Sequence, residues 1–316
     1  MMVLPAALGS PLQTSGGKPI RGLLLDLTVY LNSFSEKDLD LLIRWYRGFA
    51  PASAWRQYMI EDNTVWDSIQ HPLLLTRRGL LAAQSGESLP FLAPVRARIQ
   101  QGRRFWLQIW DGAKTDSWSL CIRAIHRQDS GLHPFVRLMI PAQADPEFLA
   151  RAAFEWAEFL DIRSGHGNLS FTYDPWFLDR AFDDIHALAK RFWGIEIEHL
   201  NGTLPLMIDR IKGVSWLTLV GDPLRSLIDP RAAITLTQLP SVSVSQQLRA
   251  LLVQLGPSPA IGDQNRPDGS LDNYYAVARE LASLYLEQHP DFPGTFINAG
   301  DSLAWVRRFL DPAGWR

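Results

Sequence analysis

The run Arg104–Trp110, RFWLQIW, is followed by Asp111-Gly112, then by Trp118–His126, WSLCIRAIH, and Phe135–Ile140, FVRLMI. Aromatic and aliphatic residues dominate all three, and a Gly-containing segment separates the first two. Runs of this kind bounded by turn residues read as strands, the first pair joined as a hairpin with a longer loop. Three successive strands with no helix between them do not wind as β-α-β units, so the sheet they begin is antiparallel. Alternation puts Phe105, Leu107 and Ile109 on one face and Trp106, Gln108 and Trp110 on the other. Both faces carry apolar bulk. The sheet is therefore either covered twice or offers an aromatic patch to a partner.

Working outward, Gly22–Leu31 (GLLLDLTVYL) reads as a buried strand. Ser35-Glu36-Lys37-Asp38 is a capping box, and Leu39, Leu42, Ile43 and Tyr46 follow at helical spacing, with Gly48 placed to stop the helix. Between residues 50 and 100, Trp55, Tyr58, Trp66 and Ile69 suggest partial helices. Downstream, Asp-Pro pairs begin at Asp145, Asp174, Asp222, Asp229 and Asp311. Asp caps a helix and Pro fits its first turn, so the first three are expected to open helices. Strands are expected at Asn168–Tyr173, Trp216–Val220, Ile234–Leu239 and Ala250–Leu255, and helices from Ser270 and around Trp305. Gly165-His166-Gly167 reads as a tight turn. Together these elements make an α+β fold with a mixed, largely antiparallel sheet flanked by helices. Residues 1–19 are expected to form a flexible leader before a single domain, 20–316, with 194–213 the best place for any subdivision.

Composition sets limits. The 316 residues carry 31 Lys+Arg against 33 Asp+Glu, a net charge of −2, and 47% are apolar. That is too apolar and too neutral for a disordered chain, and it gives no basic excess with which to hold nucleic acid. Cys121 is the only cysteine, so no internal disulfide can form. No run of about 20 apolar residues could span a membrane. The longest internal uncharged stretch, Ala232 to Leu248, is rich in Ser, Thr and Gln. Met1 to Gly17 lacks a charged start and is broken by Pro5, unlike a signal peptide, which points to the cytoplasm.

The sequence shows no assembled chemistry. Gly213-Val214-Ser215 and Gly300-Asp301-Ser302 lack the second glycine of a hydrolase elbow. The glycines flanking His166 lack the Lys-Ser/Thr of a phosphate loop. The seven histidines are scattered, none with H-E-x-x-H spacing. No catalytic, cofactor or metal residue is assigned. Asp179 and Asp183 share a helix face at i,i+4, with Asp184 beside them, and Glu196 and Glu198 follow shortly after. The Asp179–Asp183 pair reads as a metal or catalytic pair, an acidic contact face or ordinary surface. Asp111 and Asp116 would sit in the hairpin loop beside Trp118. Asp111, Asp116, Trp118, Asp179 and Asp183 are thus the candidate partner contacts.

Several phrases resemble one family. Gly22–Phe49, Ser164-Gly165-His166-Gly167 leading into Phe171–Pro175, Ile211–Gly221 (IKGVSWLTLVG), Gly256–Arg266 and Tyr274–Ala278 occur in the order found in type VI secretion immunity proteins of the TsiV-like kind. The resemblance implies a cytoplasmic protein that binds one cognate effector toxin, nucleases among them, and neutralises it by stoichiometric occlusion without turnover or cofactor. The alternatives are a hydrolase-type enzyme using His166 or a carboxylate pair, and a structural or adaptor subunit of the secretion machine.

Overall fold

The computed structural model describes residues 4–9, 12–61, 73–74, 89, 91–111, 117–124, 132–207, 209–266, 271–297 and 300–316. Its spine is strand β1 (Pro19–Leu31), whose GLLLDLTVYL run is buried almost throughout. Helix α1 (Glu36–Phe49) follows. The Ser35 hydroxyl accepts the Asp38 N–H, and the Asp38 carboxylate accepts the Ser35 N–H at 2.8 Å, completing the capping box. Then come β2 (Gln57–Glu61), α2 (Leu92–Gln100), β3 (Phe105–Trp110), β4 (Ser119–Ala124), β5 (Phe135–Pro141), α3 (Glu147–Phe159) and β6 (Ile162–Tyr173). The second half adds α4 (Leu178–Arg191), β7 (Glu196–Ile197), β8 (Leu217–Gly221), α5 (Pro230–Gln238), β9 (Val242–Gln246), β10 (Ala250–Leu255), α6 (Asp272–Glu280) and α7 (Asp301–Val306).

The strands form one sheet in the order β9-β10-β8-β6-β1-β5-β4-β3-β2, with Leu73–Leu74 paired beyond β2. Every neighbour on this path is antiparallel, and β7 runs parallel beside the end of β6. The fold is α+β, as the succession of strands implies. Register sorts the side chains. Leu25, Leu27 and Val29 of β1 share a face with Leu138 and Val136 of β5, Leu120 and Ile122 of β4, and Leu107 and Ile109 of β3. All of these are buried. Helices α1 and α3 supply matching apolar stripes, Leu39, Leu42, Ile43 and Tyr46 from one and Leu149, Ala152, Ala153 and Trp156 from the other. The two helices meet where Trp45 packs on Trp156, and Phe49 and Phe148 close on Trp118.

Five expectations change. Ile234–Leu239 is not a strand, because Asp229 accepts the Arg231 N–H at 2.7 Å and Pro230 takes the first turn of α5. A cap and a fixed φ outweigh β-branched content there, and the strand begins at Val242 instead. Gly165-His166-Gly167 is not a turn but the middle of β6. A Cβ on Gly165 would stand 2.8 Å from Val29 Cγ1, and one on Gly167 would stand 3.0 Å from Leu217 Cδ1, so these glycines serve close strand packing. Gly48 lies inside α1, which ends on extended Ala50. Trp55 sits in a 3₁₀ turn and Tyr58 in β2, whereas Trp66 and Ile69 lie outside the described residues. The leader joins the fold, with Leu12–Gln13 paired to β1 and Leu8 buried.

Candidate partner-binding face

The opposite face of the sheet is mixed, aromatic along β3 and polar from β1 to β6. Register aligns Trp106, Gln108 and Trp110 of β3 with Arg123, Cys121 and Ser119 of β4. It continues through Phe135, Arg137 and Met139 of β5 to Tyr30, Thr28 and Asp26 of β1, then to Ser164, His166 and Asn168 of β6. One continuous surface thus crosses the molecule, and its two halves differ.

From β1 onward the surface is sealed. Asp26 takes Arg137 in a fork, Nε at 2.8 Å, and also accepts the Thr28 hydroxyl at 3.1 Å. His166 Nε2 lies 2.5 Å from Glu198 Oε2. Lys212 Nζ sits between the carboxylates, 3.0 Å from Glu196 and 3.2 Å from Glu198, and donates to the Ile197 carbonyl at 2.6 Å. Ser215 donates to Glu196 at 3.2 Å, and the Arg308 guanidinium stands 3.7 Å from the same carboxylate, stacked 3.7 Å over the Trp305 ring. Exposure is 2% for His166, 3% for Glu196, 2% for Glu198, 4% for Lys212 and 2% for Arg308. Burial alone would raise both glutamates, but Lys212, helped by Arg308 at Glu196 and by His166 at Glu198, holds them below the usual carboxylate range. Lys212 is likewise opposed by burial and raised by the two glutamates. Two cations thus offset two anions out of reach of solvent. The enzyme alternative looked to His166 or a carboxylate pair, and the structure does bring these groups together. Enclosed as they are, their visible work is to tie β6, β7, the Lys212–Ser215 segment and the C-terminal helix region to one another.

On the other side of β1 the same surface is partly exposed, although Ser119, Cys121 and Phe135 on it are buried. Along β3 burial alternates strictly, with Phe105, Leu107 and Ile109 buried and Trp106, Gln108 and Trp110 partly exposed. Arg123, Arg137 and Met139 are also partly exposed. Phe135 meets Trp106 edge to face at 5.8 Å, and the Arg123 guanidinium lies 5.8 Å over the same ring, so the indole is held rather than mobile. A preset aromatic with a cation beside it is the composition enriched at protein interfaces. The β3 tryptophans are thus neither fully covered nor fully exposed.

The residues singled out from the sequence fall in two places. Asp111 accepts the Trp118 N–H at 3.0 Å and closes the hairpin, while Trp118 packs between Phe49 and Phe148 under the helices. Asp116 lies outside the described residues. Asp179 and Asp183 are exposed on α4, but Asp183 also accepts the Thr295 N–H at 2.8 Å. Asp184 pairs with Arg21. Trp176, 68% exposed just before α4, was not foreseen. Arg308 was missed too, since nothing local in Trp305–Leu310 announces an ion pair with a strand more than a hundred residues upstream. Among the described residues, no three His, Cys, Asp or Glu side chains are grouped to hold a metal, and no helix is long and apolar enough to cross a membrane.

The fold is thus one large antiparallel sheet under helices, with one face ion-paired on one half and partly exposed on the other. A solved structure shares it. The Pseudomonas aeruginosa T6SS protein PA0821 superposes with a TM-score of 0.69 over 92% of this chain and 85% of that one, at 18% identity. No curated protein matches. The family model TsiV, described as type VI immunity for VRR-NUC, matches residues 125–309, more than half of the chain, and the chain belongs to that family. Within the matched range, the segment Ile211–Gly221 supplies Lys212 and Ser215 to the sealed network and β8 to the sheet.

Proposed function

We propose that this chain is the cytoplasmic immunity partner of one VRR-NUC effector nuclease and silences it by stoichiometric occlusion. The observation that carries the reading is the family match, which includes β5, β6, the sealed network and the C-terminal helices. The half-open face supplies the means. Trp106 and Trp110 offer large, partly desolvated area to anchor an effector, with Gln108 and Met139 around them. Asp111, Asp116, Trp118, Asp179 and Asp183 remain proposed contacts. Exposed Asp179 near Trp176 and the Asp111 hairpin would meet basic effector surface, since nucleases carry positive charge where they hold DNA. Trp118, packed under α1 and α3, would act through the shape of the hairpin.

Co-expression with the nuclease encoded beside this gene provides the test. The expected result is restored growth and a stable complex that elutes without free effector. Continued DNA damage in the presence of abundant folded immunity chain would refute the proposal.

A further inference from the structure

The uncharged stretch noted in the sequence, Ala232 to Leu248, folds into α5 and β9, and β9 is the outermost strand at its end of the sheet. Natural edge strands are usually blunted by lysine, by an inward charge, by internal proline or by a covering segment, because their outer main-chain groups invite another strand. Val242–Gln246 reads VSVSQ and has neither charge nor proline. Two main-chain bonds fix which groups point outward. Gln247 N–H donates to the Ala250 carbonyl at 2.9 Å, and Gly256 N–H donates to the Ser241 carbonyl at 2.9 Å. In an antiparallel pair the inward-bonding residues alternate, so Ser243 and Ser245 bond β10, while Val244 and Gln246 turn N–H and C=O away from it. Two residues past this strand Leu248 is 71% exposed, and on the preceding helix α5 Ile234 is 59% exposed, two of the largest exposures of apolar side chains among the described residues.

We propose that β9 is a self-association edge, pairing antiparallel with β9 of a second copy of this chain about a two-fold axis at Val244. The strand matches itself in that register. The two Val244 residues exchange N–H···O bonds on the axis, and Gln246 N–H reaches the Val242 carbonyl of the second copy. Ser243 faces Ser245 on one side of the joined sheet, and Val242 faces Gln246 on the other. Like charges, which would forbid a symmetric pairing, are absent from the strand. Counting outward from the axis, exposed Leu248 lies across from exposed Pro240 of the second copy, beside half-buried Leu239. A differently charged partner finds nothing complementary here, since charge returns only at Arg231 and Arg249. The edge lies at the opposite end of the sheet from β3, so pairing leaves Trp106 and Trp110 accessible. The inference therefore stands apart from the effector reading.

Sedimentation velocity on the full chain tests it. The expected species has twice the 35.7 kDa chain mass at high concentration and dissociates on dilution. Val244→Pro removes only an outward N–H, a loss that edge strands tolerate, and is expected to give a single-copy species with unchanged circular dichroism. Should proline disturb the strand, Val244→Lys puts two ammonium groups across the axis and Leu248→Asp removes the flanking apolar contact. Each is expected to give the same dissociation. A single-copy mass for the unmodified chain at all concentrations overturns the proposal, as does a dimer that survives Val244→Lys. A chain that is always single, but loses effector binding on Val244→Lys, gives the edge to an effector strand and overturns it equally.

Discussion

The two halves of the mixed sheet face lie on one continuous surface and end differently. Around His166 and Lys212 every charge has an opposite charge within 4 Å and almost no exposure. Along β3, Trp106, Gln108 and Trp110 keep partial exposure, and Trp106 packs on the buried Phe135 ring and under the Arg123 guanidinium. Burying charge is tolerable only when each ion is paired and hydrogen-bonded, so the sealed half belongs to the fold and cannot rearrange for a partner. Leaving indoles half-exposed costs apolar area that a partner can recover, so the open half is where binding energy remains available. Substitutions on the two sides should therefore separate stability from affinity.

The sharpest separation is expected at Lys212. Lys212→Met leaves Glu196 and Glu198 buried without their shared cation, and breaking a buried pair from one side costs about 3–5 kcal/mol. Urea unfolding should show that loss, while whatever protein remains folded should bind effector normally. An unchanged midpoint would mean that the network is not what holds β6 to the Lys212–Ser215 segment, and the contrast would fail.

Next in size is a pH effect from histidines that burial holds neutral. His289, whose Nδ1 lies 2.7 Å from the Pro290 carbonyl and whose Nε2 lies 3.1 Å from the Thr203 hydroxyl, is pulled from 6.5 down to about 4, by burial first and then by Lys212. Between those values the unfolded chain binds a proton that the folded chain refuses, so stability is full above about pH 6.5 and falls as pH drops, by on the order of 3 kcal/mol. Glu196 and Glu198 add a second loss in more acidic solution. Their depressed values stabilise the fold above the ordinary carboxylate pKa, and that contribution disappears as they take up protons. His289→Gln should shrink the first limb, leaving the part contributed by His186 and His199, which burial also lowers from 6.5, and should spare the second.

On the open side, Trp106→Ala and Trp110→Ala are each expected to weaken effector binding by about 2 kcal/mol, roughly thirtyfold, measured by calorimetry. Both faces of β3 are apolar, so a large loss of melting temperature with unchanged affinity would show that Trp110 completes the fold instead. That result would remove the difference between the halves.

How much of this was legible follows the range of the interactions. The β3–β4–β5 succession, the Ser35 capping box and the Asp145 and Asp174 helix starts are local patterns, and the structure reproduces them. The Asp229-Pro230 start is equally local, yet Ile234, Thr235, Leu236 and Thr237 after it suggested a strand, and only the cap decides against them. Gly165 and Gly167 mislead because glycine serves turns and close strand contacts alike, and only the neighbouring Val29 and Leu217 distinguish the two. Glu196 and Glu198 were visible as acidic residues. Their partners Lys212, His166 and Arg308 lie 14 to 112 residues away, and no pattern in one chain announces pairings of that span. The alternation that exposes Trp106 and Trp110 could be read, but which face stays open depends on where α1 and α3 settle.

The smallest expected effect tests the finest distinction. Asp179 and Asp183 look equivalent in the sequence, one helical turn apart on α4, yet only Asp183 receives the Thr295 N–H and so anchors the 3₁₀ turn Gly294–Ile297 to the helix. Asp183→Ala should lower stability by about 1 kcal/mol through that bond. Asp179→Ala should change stability by less than about 0.5 kcal/mol, as exposed substitutions usually do. If α4 meets the effector, Asp179→Ala should also slow association and flatten its salt dependence, because an exposed rim charge acts mainly on the encounter. Stopped-flow binding at two ionic strengths reads this directly. Equal rates for Asp179→Ala and the unmodified chain would confine effector contact to the hairpin side and the Trp106 face.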